Sequence, residues 1–263
     1  MRIEYSDPVR GESIARFLSG KKDLKKARIL DLGCNNGAIS IAMSKFSEHV
    51  VAGEIEKHRI RKFLKRERPK NVSIVRLNGL ELPFRKNTFD IVIINGVMEH
   101  VPMHSNENPK AVQIKFLKGV RDVLKHNGLA YIGIENRFSI KYLIGAKSHN
   151  NMRFIDILPR SIADAYSQAI RGEKFRQYTH SLNAYNKMLS DAGFAGIKFH
   201  IAIPNYQFPK HIIDIDDRRS LIEGLKDGVE KKSYRVGAKA MIKAGLQKRL
   251  SANFVILAKK QSF

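Results

Sequence analysis

The 263-residue sequence is poor in the features of disulfide-bonded, zinc-binding and membrane-spanning proteins. It has one cysteine, which excludes an internal disulfide framework and a zinc site built from cysteines. No apolar run approaches the roughly eighteen residues that a membrane span needs, and residues 1–8 lack the apolar core of a signal peptide. We therefore expect a cytoplasmic protein, whose hydrophobic share of 43% suffices for a real core.

Acidic residues are also scarce, since 25 Asp and Glu stand against 48 Lys and Arg, for a formal net charge of +23. Such an excess attracts nucleic acid, anionic membrane surfaces or acidic substrates. The basic residues cluster at 21–26, 57–68 and 226–249. Solvated helix faces explain such clusters equally well, and aromatic residues are not interleaved with them as base stacking requires. The charge makes nucleic acid one candidate partner but does not distinguish it from a membrane surface or an acidic substrate.

A loop with two glycines follows the first apolar run of the chain. Residues 28–32 read as a buried strand, Gly33 and Gly37 bracket the loop, and a helical pattern begins at Ala38. Glycine lets the backbone approach a ligand closely because it has no Cβ. Glu54 ends the next apolar run, about twenty positions after the first glycine, where a carboxylate reaches ribose hydroxyls in nucleotide folds. The pattern predicts a ribose-bearing cofactor at the end of the first strand.

The loop itself discriminates between cofactors. A phosphate-binding P-loop needs a Lys after its last glycine, whereas Ala38 and Ile39 follow Gly37. A dinucleotide loop needs a middle glycine, and Asn35 occupies that place, where a Cβ would obstruct a pyrophosphate. S-adenosyl-L-methionine, which has ribose and adenine but no phosphate, remains as the third option.

Five segments in residues 27–136 resemble, in order and spacing, the motifs of the class I S-adenosylmethionine-dependent methyltransferases. They are the glycine loop at 29–37, the acidic strand end at 51–55, and the segments 77–84, 89–101 and 123–132. The resemblance implies S-adenosyl-L-methionine as cofactor and S-adenosyl-L-homocysteine as product. No metal is expected, because Pro102 lies between His100 and His104 and no H-E-x-x-H motif is present. It assigns cofactor contacts to the residues at the strand ends, namely Asp31, Gly33, Cys34, Gly37, Glu54, Ile55, Asn78, Gly79 and Asn95. Within that set, Glu54 would accept hydrogen bonds from both ribose hydroxyls.

Strand and helix patterns alternate through the first half of the chain, which predicts an α/β, Rossmann-like, doubly wound and mostly parallel sheet. We predict seven strands, at residues 28–32, 49–53, 72–77, 89–95 and 129–135, within a turn and strand at 193–203, and at 253–259. About forty-five residues without a clear helix precede the helix at 182–191. A basic helical stretch at 218–250 is expected to break at Gly224, Gly228, Gly237 and Gly245. The sequence thus predicts a single domain, 1–263, with a core at 27–136 and helical inserts in its C-terminal half.

The two inserts, 136–180 and 203–251, lie beside strand ends, where loops commonly contact substrates. We assign acceptor recognition to them, with Asn136, Arg137, His149 and His180 as candidate contacts. Methyl transfer to a hydroxyl needs alignment and a base. Glu99 and His100, just past the fourth predicted strand, and Glu135, at the end of the fifth, are the candidate catalytic residues.

The second half of the chain resembles, more loosely, a subgroup of bacterial and archaeal methyltransferases found with glycan and cell-surface polysaccharide synthesis. The segments that carry this resemblance are 135–145, 180–194 and 204–209. It implies methyl transfer to a small molecule or glycan, at oxygen. An RNA or protein methyltransferase that uses the basic surface is the alternative, and a non-catalytic cofactor-binding protein is disfavoured by the intact Gly33, Gly37 and Glu54. Oligomeric state is not indicated.

Overall fold

The computed structural model describes residues 7, 9–148 and 151–261. Strands and helices alternate up to β5, except that β4 follows β3 without a helix between them. Helices precede β6 and β8, whereas β7 follows β6 directly. The strands are β1 (Arg28–Leu32), β2 (His49–Glu54), β3 (Val72–Arg76), β4 (Phe89–Asn95), β5 (Leu124–Glu135), β6 (Phe194–Ile203), β7 (His211–Asp214) and β8 (Asn253–Lys260). The helices are α1 (Val9–Ser19), α2 (Ala38–Ser44), α3 (Lys57–Leu64), α4 (Pro109–Val123), α5 (Ile140–Leu143), α6 (Arg160–Arg171), α7 (Leu182–Asp191), α8 (Arg218–Gly228), α9 (Lys232–Lys243) and α10 (Gln247–Leu250).

One sheet runs through the described chain in the order β3-β2-β1-β4-β5-β8-β6-β7. The first five strands of that order pair in parallel, and β8, β6 and β7 add to the edge in antiparallel pairs. Because β2 and β4 flank β1, the carboxyl ends of these three strands meet at one edge of the sheet. In open α/β sheets ligands bind at this kind of edge.

Helices cover both faces of the sheet, as the continuous apolar runs of its central strands require. Along β4, Val92 and Ile94 point to the face that α4, α7 and α8 cover. Ile91 and Ile93 alternate with them and point to the face that carries α1 and α2. This packing confirms the predicted Rossmann-like α/β fold.

The strand count corrects the prediction, since the described sheet has eight strands where the sequence predicted seven. The added strand is β7, four residues long, which pairs only with β6 at the edge of the sheet. Its residues lie within the insert at 203–251. Four residues show too little hydrophobic periodicity for a strand to be predicted from the sequence. Whether they form a strand depends on the neighbouring strand with which they pair.

The stretch before α7 also differs from the prediction, since α5 and α6 lie within it. Met152, Ile155, Ala163, Phe175 and Tyr178 bury one another and form a small separate core there. The insert therefore has an apolar centre of its own. No helix in the described part of the chain is long and apolar enough to cross a membrane.

Two of the four glycines expected to interrupt the basic stretch lie inside helices. Gly224 is within α8, where an added Cβ would lie 2.8 Å from the Ile213 side chain, so glycine allows the helix to pack closely on β7. Gly237 is within α9 and faces open space. Gly228 ends α8, and Gly245, with φ +75°, follows α9, as predicted.

Candidate active site

A cavity of about 690 Å³ opens at the carboxyl ends of β1, β2 and β4. Most of the residues predicted to contact the cofactor line it. They are Asp31, Gly33, Cys34, Glu54, Ile55, Asn78, Gly79 and Asn95. The sheet order brings them together, because β1, β2 and β4 are neighbours although their ends are up to about sixty residues apart in sequence.

Gly37 is the exception among the predicted contacts, since it does not line the cavity. It precedes α2 with φ +80°, a conformation that other residues rarely adopt. A Cβ there would lie 2.1 Å from the ring of Phe63, a buried residue of α3. Gly37 therefore gives α3 room to pack beneath the loop, and its part in the site is to shape that loop.

The loop between β1 and α2 is held against the end of β2. The backbone N–H groups of Gly33 and Cys34 both donate to the carbonyl of Gly53, at 2.8 and 3.0 Å. Gly33 has φ +76°, and a Cβ at this position would lie 2.4 Å from the Val97 side chain. Glycine is thus required both by the backbone conformation and by the close approach of the segment after β4.

Glu54 is 2% exposed and accepts three backbone hydrogen bonds at the wall of the cavity. Oε2 accepts from Asn35 N at 2.9 Å, and Oε1 accepts from Ile55 N at 2.9 Å and Glu56 N at 3.0 Å. An ionised carboxylate has about four acceptor positions. Glu54 therefore joins the glycine loop to the end of β2 and retains room for about one further donor.

Asp31 and Cys34 are buried side chains in the floor of the cavity. Asp31 Oδ2 accepts a hydrogen bond from Ser40 Oγ at 2.5 Å, and burial raises the pKa of the carboxyl to about 6. Burial also raises the pKa of the Cys34 thiol far above its usual range. Since the thiolate is the nucleophilic form of cysteine, Cys34 serves in packing here.

The two asparagines of the cavity differ in their hydrogen bonding. Asn78 Oδ1 accepts from Leu80 N at 3.0 Å and so shapes the turn after β3. Asn95 ends β4, and its buried amide nitrogen and oxygen have no hydrogen-bond partner among the described residues. A buried amide without a partner is costly. Asn95 is therefore suited to bind a polar group of a ligand.

His100 lies at the rim of the cavity, beside the buried Glu99. Its Nε2 is 4.0 Å from Glu99 Oε1, and Gln177 Nε2 is 3.3 Å from its Nδ1. Tyr206 OH donates to the same Glu99 oxygen at 3.4 Å. The imidazole thus lies between a carboxylate and an amide, with 42% of its side chain exposed.

Comparison with known proteins relates part of this site to one family. Residues 30–132, which contain β2, β3, β4 and most of β1 and β5, match the family described as "Methyltransferase domain". This segment of the chain is similar to methyltransferase domains, as the resemblance of its five segments predicts. An S-adenosylmethionine-dependent methyltransferase from Mesorhizobium loti has the same fold, with a TM-score of 0.55 at 13% identity over 94% of this chain and 98% of that one.

Sequence relatives of the methyltransferase domain are distant. An uncharacterized protein of Methanocaldococcus jannaschii is 28% identical over 138 residues, which cover 52% of this chain and 54% of that protein. A ubiquinone biosynthesis O-methyltransferase of Cereibacter sphaeroides is 26% identical over 150 residues, which cover 52% of each protein. The chain thus spans about half the length of the curated relatives it matches.

The cavity of the methyltransferase domain fits S-adenosyl-L-methionine on two structural grounds. The unpartnered amide of Asn95 offers a donor and an acceptor, which suits the charged amino-acid end of that molecule. Glu54 keeps an acceptor position, which suits a ribose hydroxyl. The predicted bonding of Glu54 to both ribose hydroxyls would require its oxygens to share acceptor positions with the three backbone donors.

Glu135, a predicted catalytic residue, lies at the end of β5 and does not line the cavity. Lys141 Nζ is 2.6 Å from its Oε1, and Tyr142 donates its hydroxyl to Oε2. Burial, and then the charge of Glu135, raise the pKa of that hydroxyl well above its usual range. Glu135 thus joins β5 to α5.

The described acceptor candidates lie behind the cavity wall. Asn136 Nδ2 donates to the carbonyls of Arg249 and Ser251. Arg137 donates to the carbonyls of Asp156 and Leu158. His180 Nε2 is 2.7 Å from Gln113 Oε1, and burial lowers the pKa of this histidine to about 3. Asn136 and His180 thus join the first insert to other parts of the chain, and Arg137 braces the insert internally. His149 lies outside the described residues.

The cavity residues that were not predicted include Arg10 of α1 and Gln207 of the loop between β6 and β7. Arg10 Nε donates to the Gln207 carbonyl at 2.8 Å, across 197 positions of sequence. Arg10 is 7% exposed although arginine is seldom buried. No sequence motif links Arg10 to the glycine loop, so its position at the cavity could not be predicted from the sequence.

Proposed function

We propose that this protein transfers a methyl group from S-adenosyl-L-methionine to an oxygen of a small molecule or glycan. The proposal rests on one observation, that two features lie in the same cavity. Gly33, Glu54 and Asn95 lie at its strand-end wall, and His100, backed by a buried carboxylate, lies at its rim. The first feature suits the cofactor, and the second suits a hydroxyl acceptor that must lose a proton.

Residues at the ends of three parallel strands would hold the cofactor. Glu54 would accept from the ribose, Asn95 would bind the amino-acid end, and Asn78 and Gly79 would border the adenine, with Asp31 and Gly33 shaping the floor. The bound cofactor supplies a methyl group that its sulfonium already activates. The remaining tasks of the protein are to align the acceptor and to take up its proton.

His100 is suited to take up that proton. In the present arrangement Gln177 donates to Nδ1, which places the proton of the neutral ring on Nε2, toward Glu99. An acceptor hydroxyl that replaces Gln177 at Nδ1 would meet the ring's lone pair. The buried Glu99 carboxylate would then stabilise the imidazolium that forms.

One residue of each insert lies at or beside the cavity, and this arrangement is evidence for a small acceptor. Gln177 of the first insert contacts His100, and Gln207 of the second lines the cavity. The rim between them is formed by Val101 and the half-exposed Met103. The curated relative named as an O-methyltransferase agrees with oxygen as the methylated atom. We keep acceptor recognition with the inserts as part of this proposal.

An RNA or protein acceptor is the second candidate, because a basic helix borders the same cavity. Arg59 of α3 lines the cavity, and Lys57, Arg61 and Lys62 of that helix are exposed. A positive surface beside the mouth would attract a polyanion.

The deciding experiment is transfer of labelled methyl groups to fractions of a cell extract, treated separately with nuclease and with protease. We expect label in a small-molecule or glycan fraction that survives both treatments. Label that nuclease or protease removes would contradict the proposed acceptor class and favour the second candidate.

The role of His100 is tested by His100→Gln, with the exposed His126→Gln as matched control. Loss of a general base lowers kcat by about 10²- to 10⁴-fold. We expect that loss for His100→Gln with binding of S-adenosylhomocysteine unchanged within twofold, and no loss for the control. Full activity of His100→Gln would remove the base assignment.

A further inference from the structure

The insert that holds α5 and α6 exposes a dense set of large apolar side chains. Fifteen large apolar residues are exposed among the described residues, and seven of them fall between positions 140 and 170. These seven form what we call the insert face: Ile140, Leu143, Ile144, Phe154, Ile162, Tyr166 and Ile170. Scattered exposed apolar residues need no explanation, but a concentration of them marks an interaction surface.

On α6 the exposed residues form a stripe along one side. Ile162, Tyr166 and Ile170 recur at every fourth position and are 52%, 36% and 65% exposed. Ala163 and Ser167 lie beside this stripe and are buried, and Ala163 joins the small core of the insert. The helix therefore already packs inward through small residues and directs its large apolar residues outward.

The α5 side of the insert face is built in the same way. Tyr142 is buried there, whereas Leu143 and Ile144 are 44% and 71% exposed. Phe154 is 44% exposed and lies beside Gly145, since a Cβ on that glycine would be 3.2 Å from its ring. Ile144 and Phe154 are thus neighbours on the surface.

Charge decides between the candidate occupants of this face. The segment 140–176 has seven Lys and Arg against three Asp and Glu, and the whole chain carries +23. Two copies of the chain would repel each other, so a high net charge opposes self-association. An RNA would gain little from the aliphatic side chains that dominate the face, because bases stack on aromatic rings. An anionic lipid surface satisfies both the charge and the apolar stripe.

We propose that the insert face docks on an anionic membrane surface, with the apolar residues of α5 and α6 entering the boundary between headgroups and acyl chains. Helices that lie in membrane interfaces have this combination of an apolar face with Lys and Arg beside it. The exposed Lys147 and Lys174 lie in the same insert and would meet the lipid phosphates. Docking is peripheral and reversible, since it uses one short amphipathic helix and its neighbour.

The absence of tryptophan from the natural chain provides a direct test. Ile170→Trp places a single tryptophan on the insert face, and Val236→Trp places one on α9 at a comparable exposure of 59%. Both proteins are mixed with phosphatidylcholine vesicles that contain or lack 30% phosphatidylglycerol. We expect a blue-shifted emission and quenching by brominated lipid for Ile170→Trp with the anionic vesicles alone, and neither change for Val236→Trp.

Cosedimentation with the same vesicles separates apolar insertion from simple charge attraction. The double variant Ile162→Gln/Ile170→Gln keeps the charge of the chain and should lose at least tenfold in vesicle affinity. The control Tyr234→Gln/Val236→Gln should stay within twofold of the natural protein. Circular dichroism and thermal unfolding verify that both variants are folded.

Three results would overturn the proposal. The first is no binding of the natural protein to anionic vesicles at 0.1 M salt. The second is equal binding by the two double variants, which would mean docking through charge alone on another surface. The third is a stable homodimer in analytical ultracentrifugation that Ile162→Gln/Ile170→Gln dissociates, which would assign the insert face to a second copy of the chain.

Discussion

Glu54 and Asn95 lie on the same wall of the cavity but differ in how their hydrogen bonds are satisfied. Glu54 accepts three backbone N–H groups and so takes part in building the glycine loop. The polar atoms of Asn95 have no partner among the described residues. A change at Glu54 therefore acts on the shape of the loop as well as on the ligand, whereas a change at Asn95 acts mainly on the ligand.

Glu54→Gln should weaken binding of S-adenosylhomocysteine by about 1–3 kcal/mol, because an amide replaces one acceptor oxygen by a donor that faces backbone N–H groups. Isothermal titration calorimetry measures the change. The exposed Glu67→Gln, which alters the net charge equally, is the control and should leave the affinity unchanged. An unaltered affinity for Glu54→Gln would remove this residue from the cofactor site.

The buried Asp31 predicts a pH dependence of stability. Its carboxyl has a pKa of about 6 in the folded protein, raised from 3.8 by burial. The folded chain therefore binds this proton more tightly than the unfolded chain does. Between pH 3.8 and about 6 the unfolded state binds fewer protons, so the contribution of Asp31 to the free energy of unfolding falls as the pH rises. The total loss is about 3 kcal/mol.

Asp31→Asn should abolish that contribution. Urea unfolding gives the free energy of unfolding at pH 4 and at pH 7. We expect this free energy to fall between the two pH values by up to about 3 kcal/mol less in Asp31→Asn than in the natural protein. The exposed Asp191→Asn should keep the loss of the natural protein. Equal losses for Asp31→Asn and the natural protein would contradict the assignment.

At the scale of elements, the contact between α1 and α2 positions Arg10 over the cavity. Gly11 makes this contact possible, since an added Cβ would lie 2.5 Å from Ala42 Cβ and 3.0 Å from the backbone of Ile39. The residue next to Arg10 thus allows α1 to approach the helix that follows the glycine loop. Close packing of two helices here determines whether Arg10 reaches Gln207.

Gly11→Ala should destabilise the protein by about 1–3 kcal/mol, because overpacking against Ala42 exceeds the gain in helix propensity of about 1 kcal/mol. Gly119→Ala in α4 is the matched control, since nothing lies within 4 Å of its added Cβ. The control should gain about 0.5–1 kcal/mol. Chemical denaturation measures both, and a stabilised Gly11→Ala would show that α1 can move away from α2 at little cost.

The helices of the two inserts were harder to predict than those of the core. α7 lies at its predicted bounds, because Tyr185, Met188 and Leu189 recur at helical spacing and are all buried. On α6 the residues that pack inward are Ala163 and Ser167, which are small and do not form an apolar pattern. Its large apolar residues face solvent, so its inner side shows no apolar pattern from which a buried helix face could be predicted.

At the scale of the whole molecule, the net charge of +23 allows the two acceptor classes to be separated. Lys231, Lys232 and Lys239 are exposed on or beside α9, whereas Arg235 donates to the Lys226 carbonyl and is left unchanged. Changing the three lysines to Glu replaces three positive charges by three negative ones and lowers the net charge from +23 to +17.

We expect that variant to label extract fractions at a rate within twofold of the natural protein at both 50 and 200 mM salt, because a small acceptor does not span α9. Reversal of Lys110, Lys115 and Lys118 on α4 is the charge-matched control. A large loss that is specific to the α9 variant, with a steep dependence on salt, would indicate a polyanionic acceptor.

The sequence alone determined the parallel core of the sheet and most of the cavity wall. The signals for them are local, since strand runs, glycines and polar strand ends recur at fixed spacings, and parallel strands bring their ends to one edge. Where the ends of β1, β2 and β4 lie was therefore predictable without coordinates.

Only the tertiary structure decided which polar residues reach the cavity. Arg10 and Gln207 reach it from elements far apart in sequence, and Gln177 contacts His100 at its rim. Glu135 and Arg137 lie at or just after a strand end, as the motif residues do, but they bond with residues of the first insert. Residues that are neighbours in sequence lie close together in the fold, but their side chains can point in different directions. The direction of a side chain depends on which donors, acceptors and apolar surfaces the rest of the fold brings to it.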